Sequence, residues 1–248
     1  MAFVKIVNLF VFLFALCSSS FAAVDKRIVN GVPAATGQYN FMVSLRSSHH
    51  HFCGGTVFNA YWIITAANCI DAYPVQEVVV GSVTLSSGGV TYAVASTLKN
   101  PSYNPITMIY DAGLVKTATN INLNNGVGIV TLSTIVPVVT TPVDVVGWGY
   151  TTYPATGVSN QLKTVSTYII SQTVCQASYT GFTLQSTQFC TLKSTVGTCS
   201  GDGGGPVLLG TTQFGIISMA VLCAQGYPDI HTKIASVNAW IITNAVSI

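Results

Sequence analysis

The stretch Cys199-Ser200-Gly201-Asp202-Gly203-Gly204-Gly205-Pro206 decides how the rest of this chain is read. Gly203 carries no side chain and so offers no attacking group. Around this loop, β-branched and aromatic runs alternate with Gly, Pro, Asn and Ser. Examples are Phe41–Leu45, Trp62–Thr65, Glu77–Gly81, Thr91–Ser96, Val143–Val146, Lys163–Ile169, Val207–Leu209 and Phe214–Ser218. Short runs with such punctuation predict an all-β barrel or sandwich. Val237, Trp240 and Ile241 recur at helical spacing after Ser236, which predicts a C-terminal helix, and a short helix is expected over Ser171–Ala177.

The chain has 248 residues, of which 50% are hydrophobic and 6% charged, enough for a well-buried core. Lys5, the apolar run Ile6 to Leu16 and the small residues around Ala22-Ala23 read as a secretory signal over 1–22. No later segment is apolar for long enough to span a bilayer, so the expected product is secreted and meets no membrane. Beyond residue 27 the chain holds six basic and six acidic residues, a zero balance that excludes a nucleic-acid patch. It has no Asn-X-Ser/Thr acceptor for glycosylation. Six cysteines lie beyond the signal: Cys53, Cys69, Cys175, Cys190, Cys199 and Cys223. An even set in an exported chain predicts disulfides, and spacing alone leaves all pairings open.

Further motifs lie in order along the chain: Arg27-Ile28-Val29-Asn30-Gly31, His51-Phe52-Cys53-Gly54-Gly55, Thr65-Ala66-Ala67-Asn68-Cys69, Tyr110-Asp111-Ala112-Gly113-Leu114-Val115-Lys116 and Gly147-Trp148-Gly149. With the Gly203 loop, they resemble the chymotrypsin/trypsin-like serine proteases over the whole chain beyond residue 27. The resemblance implies two antiparallel six-stranded β-barrels with a C-terminal helix, the first over 28–130 and the second over 131–248, and a cleft between them. It also implies the pairings Cys53–Cys69, Cys175–Cys190 and Cys199–Cys223. A catalytic triad needs a nucleophile, a base and an orienting acid. The acid position is Asp111, with Ser218 resembling the serine that bonds it. The base position is Asn68, whose amide can donate to Asp111 but has no basic nitrogen. The nucleophile position is Gly203. This decay most resembles the inactivated protease paralogues of scabies-type mites, relatives of mite group 3 allergens. Gly201 and Gly203 would keep a vestigial oxyanion hole. Ser200, three residues from Gly203 and without a base, is not expected to substitute.

The resemblance also implies an altered specificity pocket. Gly197 stands where relatives selective for Arg and Lys carry aspartate, and Met219, Ala220 and Leu222 add carbon to the wall. Asp229 stands in place of a third pocket glycine, either relocating the negative charge or filling a partly wet, obstructed slot. Activation looks intact. Lys26-Arg27, ending a propeptide over 23–27, invites cleavage by a trypsin-like protease in trans, freeing the Ile28 amine to pair with Asp202. The run His49-His50-His51 is not expected to bind metal, because consecutive strand residues alternate faces. No cofactor is expected. These features lead to the expectation of a secreted pseudoprotease, not an enzyme, that binds host plasma or defence proteins, complement components foremost. The alternatives are an active or residual trypsin-like endopeptidase, a decoy for protease inhibitors, and a relic without activity.

Overall fold

The computed structural model describes residues 29–152, 154 and 157–246. The signal over 1–22, the propeptide over 23–27, and the activation residues Arg27 and Ile28 lie outside the described residues.

Strand β1 (Val32–Pro33) leads to a first barrel of β2 (Met42–Ser47), β3 (His50–Val57), β4 (Trp62–Thr65), β5 (Glu77–Val80), β6 (Val90–Lys99) and β7 (Gly113–Thr117). These six close in the order β2-β3-β4-β7-β6-β5, antiparallel throughout. Helix α1 (Ala67–Ala72) follows β4 directly and carries the first catalytic-position residue. After β8 (Thr131–Leu132) come β9 (Pro142–Gly147), β10 (Lys163–Ile170), helix α2 (Gln172–Ala177), β11 (Gln188–Leu192), β12 (Pro206–Leu209), β13 (Thr212–Met219), β14 (Asp229–Lys233) and helix α3 (Ile234–Asn244). The ring β9-β10-β11-β14-β13-β12 returns to β9 as a second six-stranded antiparallel barrel.

β-Branched side chains suit a half-buried pleated surface, and here they fill the barrel interiors. Val43, Leu45, Ile63, Ile64, Val78, Val80 and Leu114 pack inside the first barrel; Val143, Val145, Val165, Phe189, Val207 and Phe214 pack inside the second. A third cluster, including Phe41, Met42, Val130, Val146, Trp148 and Leu162, joins the two. The barrels are also linked by a buried hydrogen bond of 2.8 Å from Thr56 Oγ1 to Gln213 Oε1. Helix α3 leaves the second barrel and buries Val237 and Ile241 against the core of the first. It begins at Ile234, three residues before the sequence reading placed it. Helix α2 starts at Gln172 because Ser171 caps it, accepting from Val174 N–H at 3.2 Å.

The disulfides join Cys53 to Cys69, Cys175 to Cys190 and Cys199 to Cys223. They close loops of 16, 15 and 24 residues, each worth about 3 kcal/mol by loop-closure entropy. The first and third brace the segments that carry Asn68 and the Gly203 loop.

Candidate active cleft

The loop from Cys199 to Pro206 is folded by its own backbone. Asp202 N–H donates to Cys199 O at 3.0 Å and Gly205 N–H to Asp202 O at 3.0 Å. Gly204 N–H and Gly205 O bond across to Ile217, and Gly203 O accepts from Gly54 N–H, each at 2.8 Å. These bonds stitch the loop to both barrels. At Gly204 a Cβ would lie 2.1 Å from Thr65 Oγ1 and φ is +78°, so only glycine fits. At Gly203 the nearest atom to a Cβ would be Cys69 Sγ at 3.6 Å, and φ is not left-handed. The loop therefore has room for a side chain at 203 that the sequence does not supply.

The N–H groups of Gly201 and Gly203 make no hydrogen bond among the described residues. Both residues line a cavity of about 320 Å³ with Cys53, Asn68, Met108, Ser218, Met219 and Ala220. A second cavity of about 480 Å³ adjoins it through Ser200 and Gly201, walled by Phe52, Tyr73, Tyr150 and Val158. The two cavities thus meet at Ser200 and Gly201.

Asp111 is fully buried at the junction of the barrels. Its Oδ2 accepts from Ser218 Oγ at 2.5 Å and its Oδ1 from the backbone N–H of Asn68 at 2.8 Å. Burial pushes its carboxyl up to about 6 against these bonds. The side chain of Asn68 does not donate to Asp111, contrary to the sequence reading. Its Nδ2 donates to Ser218 O at 2.8 Å, while its backbone N–H takes the Asp111 oxygen. Asn68 Oδ1 comes within 3.9 Å of the Cβ position at Gly203, so the three triad positions do converge.

Asp202 is buried between Gly147 and Gly149, where a Cβ would come within 2.1 and 2.4 Å of its carboxylate. Oδ1 accepts from Gly149 N–H at 2.7 Å and Oδ2 from Cys199 N–H at 2.9 Å, and burial still raises the carboxyl to about 7.

The specificity segment differs from the sequence reading in two respects. Asp229 is not partly wet: it is 3% exposed, and burial pushes it up to about 7. Its Oδ2 accepts from Thr198 N–H at 2.7 Å and lies 2.9 Å from a Cβ placed on Gly197, while Oδ1 has no partner among the described residues. Leu222 does not fill the slot. It is 39% exposed, and no atom of it lines the cavity; Met219 and Ala220 do. Leu222, Cys223 and Ala224 all have left-handed backbones, at φ 55°, 44° and 62°, which turn the Leu222 side chain outward. Neither Gly197 nor Asp229 lines the cavity.

His51, given no functional role by the sequence, holds the loop from the first barrel. Its ring bonds Gly201 O at 3.0 Å through Nε2 and Ser44 Oγ at 2.9 Å through Nδ1, and Arg46 Nε donates on to Ser44 Oγ. Burial pushes this imidazole down to about 4, so it stays neutral with the proton on Nε2 facing the carbonyl. Only its three-dimensional neighbour, Gly201, reveals the role. His49 instead pairs with Glu77 at 3.1 Å, and among the described residues no three His, Cys, Asp or Glu side chains converge on a metal geometry.

The trypsin family model matches residues 28–241. The chain is 32% identical to trypsin delta of Drosophila melanogaster over 226 residues, 89% of each chain. It is 31% identical to trypsin alpha of the same fly over 229 residues, 90% of each, and 32% identical to trypsin alpha-4 of Lucilia cuprina. These relatives are fly trypsins. The narrower likeness to inactivated mite paralogues, with the allergen kinship and complement role it implied, gains no support from them. The expectation that the chain is no enzyme is corrected by the same matches, since the relatives aligned along nearly its full length are trypsins. Asn68 and Gly203 change two side chains in a cleft whose other parts are formed. Fold, cleft and matched segment agree: the chain belongs to the trypsin family of serine proteases.

Proposed function

We propose that this chain is a secreted trypsin-like endopeptidase of residual rate, acting on extended polypeptide in the cleft between its barrels. The observation that carries the reading is the pair of unbonded N–H groups on Gly201 and Gly203, two residues that line one cavity, with a second cavity joined to it at Ser200 and Gly201. Such donors stabilise the oxyanion of a tetrahedral intermediate without reorganising at the moment of reaction. With Gly203 and Asn68 in place of nucleophile and base, water attacks the scissile carbonyl and gives its proton to bulk water. The C=O π pair moves to the oxygen, which is held by the two N–H groups. Collapse of the intermediate then breaks the C–N bond, and the departing amine takes a proton from solvent, which accounts for the low rate. Proteases lacking a triad member keep about 10³–10⁴-fold acceleration over water from the oxyanion hole and binding alone.

The kinship with trypsins supports a preference for a basic side chain. Asp229, buried with one unpartnered oxygen next to Gly197, does not line the cavity. Three disulfides and the leader-like segment support export. Lys26-Arg27 fits release by a second trypsin-like protease.

The test is prolonged incubation of purified protein with fluorogenic Lys, Arg and Ala peptide substrates after active-site titration to exclude contaminating protease. Cleavage above the buffer rate, strongest after Lys or Arg, is expected. A rate equal to buffer on every substrate refutes the reading.

A further inference from the structure

The empty side-chain position at Gly203 gives the oxyanion hole a second capacity. We infer that the cleft binds the free C-terminal carboxylate of a peptide, one oxygen on the Gly201 and Gly203 N–H groups and the other in the space over the Gly203 Cα. This rests on the reading of the cleft as a peptide-binding site and names the ligand it retains best.

Three observations converge on a carboxylate. Two backbone donors, Gly201 and Gly203, are unpaired among the described residues and line one cavity. A neutral scissile amide places a single oxygen there, whereas a carboxylate places a full charge on it, and hydrogen bonds to a charged acceptor are roughly twice as strong. The space for the second oxygen is open: a Cβ at Gly203 would meet nothing nearer than 3.6 Å. A serine hydroxyl would occupy that space. The third observation concerns charge. Asp111, the acid of the site, has both oxygens already engaged, by Ser218 Oγ and the Asn68 N–H, and is turned away from the cavity, which it does not line. Asn68 is uncharged and shorter than an imidazole; its Oδ1 stands 3.9 Å from the Cβ position of Gly203, so the second oxygen finds room but no donor there.

The C-terminal residue of the ligand then lies over Met219 and Ala220, with the chain running back past Met108, while the adjoining 480 Å³ cavity stays free. The ligand class is a cleavage product rather than a substrate: a peptide whose new C-terminus another protease has produced.

The experiment compares equilibrium binding of N-acetylated tetrapeptides of one sequence ending in lysine, as free acid and as primary amide. The acid is expected to bind at least about 10-fold more tightly. In Gly203→Ala the added methyl takes the second oxygen's place, and the preference falls to about threefold or less. Equal affinity for acid and amide, or a preference that survives Gly203→Ala, overturns the inference and leaves the cleft reading standing. If neither peptide binds at millimolar concentration, the cleft reading fails with it. Should Gly203→Ala not fold, judged by its melting curve, the comparison on the natural chain decides alone.

Discussion

Replacing Asp229 with Asn should stabilise the protein at high pH and do nothing at low pH. The carboxylate is buried, one oxygen accepts from Thr198 N–H at 2.7 Å, and the other has no partner among the described residues. No cation among them offsets its charge, and the carboxylate of Asp202 adds repulsion to the dominant effect of burial. Its pKa is therefore raised from 3.8 to about 7. The native state holds this proton more tightly than the unfolded chain, so the stability it contributes is complete below about pH 4 and is lost as pH rises through about 7. The gap between the two values sets a ceiling of about 4 kcal/mol on that loss. Relaxation and water entry reduce it to about 1–3 kcal/mol. Asn is isosteric, keeps an oxygen for Thr198 and stays neutral. His51 and His231, which burial pushes down to about 4 and about 3, tilt stability the opposite way below pH 6.5 but are common to both proteins. Parallel urea titrations at pH 5 and pH 8 isolate the difference. The Asp229→Asn variant should exceed the natural protein by about 1–3 kcal/mol at pH 8, most of it gone at pH 5. A gain independent of pH, or a loss at pH 8, would mean that Asp229 is hydrated or paired.

Two further outcomes concern the neighbouring loops. Leu222→Gly should raise the melting temperature by about 2–4 °C, since it relieves about 1 kcal/mol of left-handed strain and removes an exposed side chain; an unchanged or lower midpoint in thermal unfolding would show that the leucine packs on something. Gly204→Ala should abolish soluble expression or cost several kcal/mol, because its Cβ would sit 2.1 Å from Thr65 Oγ1, whereas Gly203→Ser should express and melt within a few degrees of the natural chain. Equal tolerance of the two substitutions would refute the assignment of space in the loop.

The strands with unbroken β-branched runs, such as Trp62–Thr65 and Glu77–Val80, are legible because packing on a pleated sheet selects those residues. Strand β3 is harder to see, since Gly54 and Gly55 interrupt its signal. Those glycines serve the close approach of Gly205 and of Ile63, which is a tertiary requirement. Helix α1 spans six residues with no capping side chain, too short for a periodic pattern. The convergence of Asn68, Asp111 and Gly203 is implied by ordered motifs, and the structure brings them together. The dryness of Asp229 and the outward turn of Leu222 are not legible, because both depend on tertiary placement, the second on the backbone conformation between residues 222 and 224. Nor do the two altered side chains settle whether the chain is an enzyme. They leave the oxyanion donors and the binding surface untouched, and sequence alone does not weigh those parts.

The cleft is a preformed trypsin cleft lacking two side chains, with room at Gly203 for one of them. The most direct test is the double variant Asn68→His/Gly203→Ser, assayed on a Lys-containing peptide substrate and by fluorophosphonate labelling. A preformed cleft predicts labelling at residue 203 and a kcat/KM at least about 100-fold above the natural chain, with neither single variant reaching it, because nucleophile and base act as a unit. A folded double variant with no label and no gain would contradict it.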